Sequence, residues 1–409
     1  MSISKIRNKF KGRNIFNTMS KNKVTFGNSI LIRKRNLSSI FKAIHKHGPI
    51  SRIELTEITG CSAGTASNHV KTLIKKGFVV ETNKGISSGG RKPVQLMVNS
   101  DKAYIFSIEI EVNQVKIVMF NLEIKVVMKS IIPIIHKDNY LETLEQIFFE
   151  MDRMIEEKHL KLNDFLGIGV AVPGLIDKVK GILEFAPNLG WKNVHISKIF
   201  KDRYSLPFIL NNEAKAAAIG ERESTYPKIN NMVFVSINEG IGCGIFFNGK
   251  LYRGASGNAG EFGHIIIDTN GPLCHCGNKG CWETFASESY IVNRYLKLSN
   301  SNKELTKKEI YQLGKNGDKK IIEIFNEAGR NIGIGLVNII NGLSPELLVI
   351  GGGIIEIKDY VYEEIIKKLE ESALSVSYGK VTIKFSELGS LAAVYGLANL
   401  IINERIKFI

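Results

Sequence analysis

Long hydrophobic runs are missing from this 409-residue sequence. The longest apolar candidate, residues 331–355, is interrupted by Asn338, Ser344 and Glu346, whereas a helix that spans a bilayer needs about 20 consecutive apolar residues. The amino-terminal segment is basic, but no apolar signal core follows it. These features argue against a membrane protein, and we expect the chain to act in the cytoplasm without membrane contact.

Cysteine is also scarce. The five cysteines, three of them within eight residues, are an odd number and clustered, which is untypical of a secreted disulfide framework and fits a reducing compartment. Hydrophobic residues make up 44% and charged residues 23% of the chain, the proportions of an ordinary globular protein. The length allows two or three domains.

Acidic residues are nearly absent from the front of the chain. Residues 1–98 hold 19 lysines and arginines but only Glu54, Glu57 and Glu81, a net charge of +16 against +15 for the whole sequence. The remaining residues therefore sum to about −1. A positive segment on a neutral body predicts a module that binds a polyanion, although residues 1–26 alone are also compatible with a solubilising basic tail.

A helix-turn-helix pattern follows a basic arm at residues 1–35. A helix is expected from Asn36 to about His47, and Ser51 with Glu54 forms a capping-box pattern for a second helix, with Leu55 and Ile58 predicted to be buried. Ser62 is expected to cap a third helix that ends near Gly77. The spacing is that of a DNA-binding helix-turn-helix.

The side chains of this segment favour DNA as its partner over another protein, the alternative for a small helical domain. Two strand-like runs around a glycine- and serine-rich tip then predict a wing, so that residues 36–98 form a winged helix-turn-helix. The residues expected to reach base edges or phosphates are Ser62, Thr65, Ser67, Asn68, Lys71, Arg91 and Lys92.

The body, residues 101–409, alternates β-rich and helical segments, which predicts an α/β fold. Strand candidates include FLGIGVAVPG and ELLVIGGG, and the longest helical candidate is KKIIEIFNEAGRNIGIGLVNIIN. Glycine-rich turns at 240–244 and 351–353 follow strands and allow close backbone approach to a phosphate, although glycine also simply forms turns.

The segment PLCHCGNKGCWE, residues 272–283, predicts a metal site. Cys274, Cys276 and Cys281 supply three thiolates for a structural Zn²⁺, and the fourth ligand is open among His264, His275 and Glu283. A disulfide is the alternative, but it would leave one thiol unpaired. A DNA-reading zinc finger is disfavoured because the surrounding segment is acidic and far from the basic front end.

Several motifs together resemble the ROK family of sugar kinases and sugar-responsive repressors, over nearly the whole chain from Asn36. The stretches that carry the resemblance are GIGVAVPGLID, APNLGW, NNEAKAAAIGE, NGKLYRGASGNAGEFGH, CHCGNKGCWE and VIGGG. With its winged helix-turn-helix, the chain looks most like the regulators, especially xylose-operon repressors. The resemblance implies a duplicated actin-like ATPase (ribonuclease-H-like) sugar-kinase fold, with two lobes that close on a sugar. We expect the chain to form a homodimer or a higher homo-oligomer.

The same resemblance assigns roles to residues of the body. It makes His264 the fourth zinc ligand, with its second ring nitrogen turned to a sugar hydroxyl, and leaves His275 pointing outward. The implied sugar-binding residues are Asn188, Asn212, Glu213, Glu261, His264 and Glu283.

The kinase motifs of the family are altered here. Where kinases resemble one another in a DxGGT loop, this chain has Glu109-Ile110-Glu111-Val112-Asn113, and Glu213 replaces the aspartate that deprotonates the sugar. Lys215 also departs from the family's asparagine. We therefore expect no catalysis but a repressor that binds double-stranded operator DNA and senses a monosaccharide, with xylose as the first candidate. The alternatives are an active sugar kinase with a DNA-binding domain and a DNA-binding dimer whose body binds no sugar.

Overall fold

The computed structural model of the chain describes residues 29–82, 94–299 and 305–408. Most of the predicted basic arm lies outside these ranges, as do Arg91 and Lys92 of the predicted wing tip. Within the described ranges, no helix combines the length and apolar character needed to cross a membrane.

Within residues 29–82 and 94–98, the chain folds as three helices and a small sheet, here called the head. The helices are α1 (Ser29–His47), α2 (Arg52–Thr59) and α3 (Ala63–Lys75). Strands β1 (Ile50–Ser51), β2 (Val79–Thr82) and β3 (Gln95–Val98) form an antiparallel sheet in the order β1-β3-β2. The β2–β3 hairpin is the base of the predicted wing.

Capping residues define the second and third helices, as the sequence predicts. The Ser51 side chain accepts from the Glu54 amide while the Glu54 carboxylate accepts from the Ser51 amide, which completes the capping box before α2. Ser62 caps α3 through the amide of Thr65. A left-handed Gly60 ends α2 and directs the chain into the next helix.

Two details of the head differ from the prediction. Helix α1 begins at Ser29 rather than near Asn36, so the last residues of the predicted arm are helical. Ile58 was predicted to be buried, but its side chain is 51% exposed because only Leu55 of α2 faces the core. Leu55 and Ile58 are three residues apart and share a helix face, so the exposure of Ile58 depends on where the head ends rather than on the helical pattern.

The body contains two five-stranded sheets. The first comprises β4 (Tyr104–Ile110), β5 (Gln114–Asn121), β6 (Val126–Pro133), β7 (Phe165–Val172) and β11 (Phe208–Asn212), in the order β11-β7-β4-β5-β6. The second comprises β12 (Met232–Ile237), β13 (Ile241–Phe247), β14 (Lys250–Tyr252), β15 (Leu347–Gly351) and β16 (Thr382–Phe385), in the order β14-β13-β12-β15-β16.

The two sheets have the same topology. In each, the first three strands form an antiparallel meander, and the fourth and fifth strands add in parallel beside the first. A smaller sheet of β8 (Leu175–Asp177), β9 (Ile182–Ala186) and β10 (Trp191–Val194) extends the first lobe. The repeated topology is that of a duplicated two-lobed fold, as the family resemblance implied.

Helices cover both sheets. Those of the first lobe and the connection between lobes are α4 (Tyr140–Glu157), α5 (Ile196–Tyr204) and α6 (Glu213–Gly220). Those of the second lobe are α7 (Glu283–Ala286), α8 (Glu288–Ser299), α9 (Lys307–Lys315), α10 (Lys319–Leu343), α11 (Lys358–Ser372) and α12 (Ser375–Tyr378). The last helix, α13 (Ala392–Arg405), returns to the first lobe and packs on β4, β7 and α6.

The head and the first lobe share one hydrophobic core. Phe41 and Ile44 of α1 belong to the same buried cluster as Phe120 of β5 and Ile402 of α13. A hydrogen bond between His45 Nε2 and the Leu122 carbonyl oxygen, 2.8 Å long, also joins α1 to the turn after β5. The head is therefore attached to the body by packing as well as by the chain.

Candidate functional site

A cleft of about 750 Å³ lies between the lobes, where the carboxyl ends of the parallel strands meet. Strands β4, β7 and β11 end at it from the first lobe, and β12 and β15 end at it from the second. The six sequence-predicted sugar-binding residues all line this cleft: Asn188, Asn212, Glu213, Glu261, His264 and Glu283.

The predicted metal ligands lie together at one side of the cleft. The ligand atoms of His264, Cys274, Cys276 and Cys281 are all within 4.8 Å of one another. Cys276 Sγ is 3.6 Å from Cys281 Sγ, and Cys274 Sγ is 3.7 Å from His264 Nδ1. Sulfur atoms at the corners of a zinc tetrahedron are about 3.8 Å apart, given Zn–S distances of about 2.3 Å. The arrangement could hold a metal ion, and its donors suit Zn²⁺.

Local backbone features explain how a short segment gathers these ligands. His264 lies on the 3₁₀ turn Phe262–His264. Isolated β-bridges at Leu273–Lys279 and Ile266–Cys281 close the cysteine loop and hold it beside that turn. Gly280 has a positive φ, and a side chain there would overlap the Asp268 carbonyl, so only glycine fits this close approach.

Glu283 connects the metal cluster to the cleft. Its Oε1 atom is 2.9 Å from Cys274 Sγ and 3.5 Å from His264 Nδ1. Its Oε2 atom faces the other way, 3.4 Å from the amide nitrogen of Ile241, which donates to it. A Cβ atom on Gly240 would stand 2.8 Å from Oε2, so glycine at this position leaves the carboxylate open to the cleft.

Asn212 and Glu213 lie at the start of α6. The Asn212 side-chain oxygen caps the helix by accepting from the Lys215 amide, and its Nδ2 donates to Glu213 Oε2 over 2.6 Å. Burial, reinforced by the charges of Glu261 and Glu109, raises the pKa of Glu213 to about 8. At neutral pH this carboxyl is therefore largely protonated and can donate as well as accept a hydrogen bond.

His275 makes a contact across the cleft that sequence reasoning missed. Its Nδ1 atom is 2.9 Å from Oδ1 of Asn188, which belongs to the turn between β9 and β10 in the first lobe. We expected His275 to point outward, and the residue is indeed exposed, but its ring reaches the opposite lobe. Two residues 87 positions apart carry no pattern in the sequence that would pair them.

The opposite end of the cleft contains a buried charge cluster. The ammonium group of Lys116 donates to Glu109 Oε2 at 3.2 Å, to Glu111 Oε1, and to the Ser390 carbonyl oxygen at 2.8 Å. Burial raises the pKa of Glu109, and Lys116 opposes this shift. Burial alone would lower the pKa of Lys116, but the two carboxylates raise it. A lysine within the otherwise apolar run of β5 was the signal that could have revealed this cluster.

The glycine turn after β15, residues 351–353, contacts polar side chains of the protein itself. The Gly353 amide donates to Asn238 Oδ1 at 2.7 Å, and a Cβ atom on Gly353 would overlap the Glu288 carboxylate. Glu288 is itself buried, where Lys307 and Tyr311 donate to it. The turn thus presents a carboxylate where a phosphate-binding turn presents free amides.

The predicted DNA-contacting side chains that fall within the described residues lie in α3 or, for Ser62, directly before it. Asn68 and Lys71 are exposed, and Ser67 is half-buried. The hydroxyl of Ser62 donates to that of Thr65, so these two side chains also serve the helix cap.

Comparison with known proteins agrees with this architecture. A family model described as the ROK family matches residues 105–404, and one described as winged helix-turn-helix DNA-binding matches residues 34–80. The chain is 34% identical to the xylose repressor of Bacillus subtilis (strain 168) over 385 residues, which cover 92% of this chain and 97% of the relative.

Solved structures are also similar to the chain, and two of them are informative here. One is a ROK family transcriptional regulator described as a homolog of the E. coli MLC protein, with a TM-score of 0.77 and 27% identity over 92% of this chain and 97% of that one. The other is a ROK family glucokinase from Streptomyces griseus in complex with glucose and AMPPNP, with a TM-score of 0.65 and 24% identity over 73% of this chain and 99% of that one. The second likeness bears on the fold alone and confirms the predicted actin-like architecture of the body. The chain belongs to the ROK family and carries an amino-terminal winged helix-turn-helix DNA-binding domain.

Proposed function

We propose that the chain is a transcriptional repressor that binds operator DNA and responds to a monosaccharide, with xylose as the first candidate. The observation that carries the proposal is the position of α13. This helix packs against α6, which begins at the polar residues of the cleft, and it shares a hydrophobic core with α1 of the head. Helix α13 thus packs against the helix that begins at the candidate sugar site, and the 3₁₀ turn after it (Ile406–Phe408) contacts α1 of the DNA-binding module.

The polar groups of the cleft support a sugar as the effector because they include both hydrogen-bond donors and acceptors for hydroxyl groups. Asn188 and Asn212 carry amide donors, Glu261 and Glu283 carry carboxylate acceptors, and Glu213 can be protonated. Each sugar hydroxyl donates and accepts at once, so a mixed set of this kind suits a polyol. We assign His264 to the same set through the ring nitrogen that does not face Cys274.

We assign the cluster of His264, Cys274, Cys276 and Cys281 to a structural zinc ion. When bound, zinc would fix the loop and the His264 ring by coordination. The loop itself carries Glu283 and His275 at the edge of the cleft, and therefore its rigidity determines how accurately these side chains are placed.

The end of the cleft that contains Glu109, Glu111 and Lys116 supports a sensor rather than a kinase. Glu109 and Glu111 take the place where the family's kinases have a DxGGT loop, and Lys116 already uses its three donors within the protein. Glu288 adds a further buried carboxylate beside the second glycine turn. Carboxylates in such a position repel phosphate groups, which typically costs several kcal/mol.

We further propose a homodimer, because winged helix-turn-helix heads commonly read two half-sites of an operator. Sugar binding would favour one arrangement of the lobes, and α13 would transmit this change in arrangement to the two heads. Coupling between two sites in one protein is typically about 1–3 kcal/mol. Light scattering of the purified chain tests the oligomeric state.

The test of the function is DNA binding with and without sugar. Duplexes enriched from a random library by the full chain would be titrated by fluorescence anisotropy, with xylose, glucose or N-acetylglucosamine at millimolar concentration. We expect at least one of these sugars to weaken binding about fivefold or more, with no ATP consumption in a coupled assay. Sugar-dependent ATP consumption would instead identify an active kinase, and no response to any sugar would identify a body that serves only as a scaffold.

A further inference from the structure

Among the described residues, two of the hydrogen bonds that join the lobes lie across the mouth of the cleft. One runs between His275 Nδ1 and Asn188 Oδ1 at 2.9 Å, and the other from Asn113 Nδ2 to Glu239 Oε1 at 2.8 Å. The two hydrogen bonds differ in their relation to the cleft. Asn113 and Glu239 form an exposed pair, whereas Asn188 also has a side-chain nitrogen that faces the cleft.

The contact with His275 determines which end of the Asn188 amide is available. An amide oxygen only accepts and an amide nitrogen only donates, and the two ends exchange places when the group rotates by 180°. His275 Nδ1 engages the oxygen, which leaves Nδ2 free on the other side. A Cβ atom on Gly240 would lie 3.7 Å from Asn188 Nδ2 and 2.8 Å from Glu283 Oε2, so these two atoms face one space over Gly240.

This space presents a donor from one lobe and an acceptor from the other. A hydroxyl placed there can accept from the Asn188 amide and donate to the Glu283 carboxylate at the same time. A rotated Asn188 would present its oxygen beside the carboxylate, and two acceptors would then face the same hydroxyl. The orientation of one amide therefore determines whether the site recognises a hydroxyl at this point.

We propose that His275 is a positioning residue for the sugar: it fixes the Asn188 amide so that its nitrogen, together with Glu283, binds one sugar hydroxyl. The inference rests on the proposed sugar-sensing function. It also gives the cysteine loop a specific task, because His275 lies between Cys274 and Cys276 and its placement follows from the fold of that loop.

The test is a double-mutant cycle on sugar affinity in the full chain, measured by calorimetry with whichever of xylose, glucose and N-acetylglucosamine binds the wild type most tightly. We expect His275→Ala and Asn188→Ala each to weaken binding about five- to tenfold, and the double variant to be no weaker than Asn188→Ala alone. His275→Gln, which retains a side-chain N–H, should recover part of the loss.

Lys279→Ala, an exposed substitution in the same loop, is the control for loop damage, and metal content and melting temperature of each variant report folding. Asn113→Ala separates positioning from simple lobe contact. If it weakens sugar binding as much as His275→Ala, or if the two single effects add in the double variant, the positioning role is wrong while the sugar site stands. If the wild type binds none of the sugars, the proposed function itself fails and this role fails with it.

Discussion

Gly396 of α13 lies against the backbone of Ala216 in α6, so closely that a Cβ atom on Gly396 would overlap the Ala216 carbonyl oxygen. Gly220 makes the reciprocal approach to Ala392. Two glycines at one helix crossing bring the helices into backbone contact, and such a contact transmits small displacements because packed interiors are not readily compressed. This crossing is the link that we propose between the sugar cleft and the head.

The first prediction concerns this crossing. Gly396→Ala inserts a methyl group where there is no space, and overpacking of this kind typically destabilises a protein by about 1–3 kcal/mol. We expect a lower melting temperature and a smaller effect of sugar on DNA affinity. Gly342→Ala in α10 is the matched control, because no atom lies within 4 Å of the added carbon, and it should leave both quantities unchanged or raise stability slightly.

The second prediction concerns the metal. Metal analysis of fresh, reduced protein should find about one zinc ion per chain, and a chelator should lower the melting temperature. Cys276→Ala should abolish metal binding without opening a core cavity, since this side chain is exposed. Cys61→Ser in the head should retain the full metal content. Wild-type protein without metal, or a Cys276 variant that retains it, would contradict the ligand assignment.

The third prediction follows from Glu213. Its pKa in the folded protein is about 8, whereas an ordinary glutamate titrates near 4.5. Between these values the folded chain holds a proton that the unfolded chain has lost, so this residue makes stability fall as pH rises from about 5 to 8. Glu213→Gln removes the ionisation and should melt above the wild type at pH 8, by an amount that shrinks toward pH 5.

The control for this prediction is Glu370→Gln, which changes an exposed carboxylate far from the cleft. Thermal melts of the three proteins across this pH range provide the comparison. The melting-temperature difference between the wild type and Glu213→Gln should grow with pH. If it does not, the Glu213 carboxyl is ionised in the folded state at neutral pH.

The fourth prediction concerns α3. Lys71→Ala should weaken binding to all DNA sequences and lower the dependence of log affinity on log salt by about one, because it removes one phosphate contact. Asn68→Ala should instead relax the preference at one base pair, at a cost of about 1–3 kcal/mol on the preferred sequence. Lys192→Ala, an exposed lysine of the first lobe, should do neither. Equal behaviour of the three variants would place the DNA-contacting surface elsewhere.

Local signals in the sequence predicted the local structure well. Ser51, Glu54 and Ser62 form the caps that their spacing predicted, because capping depends on residues within one turn. The three cysteines lie close together for the same reason, since they are near neighbours in the chain. The duplicated topology came from the resemblance, because strand order depends on pairings that no single segment encodes.

Contacts between distant segments were not predictable in this way. Lys116 donates a hydrogen bond to Glu111, five residues away in the sequence. It also donates to the carbonyl oxygen of Ser390, which is 274 positions further along the chain. His275 finds Asn188 only once the lobes are packed. The exposure of Ile58 likewise depends on which neighbours the folded head provides, not on the helical pattern that suggested burial.

The central claim is that sugar binding and operator binding are coupled in one chain, and coupling of binding free energies is reciprocal. The most direct measurement is therefore a calorimetric titration of xylose into the free protein and into its complex with an enriched operator duplex. We predict that the duplex weakens xylose binding by the same factor, about fivefold or more, by which xylose weakens duplex binding. Equal xylose affinity in the two titrations would contradict the account.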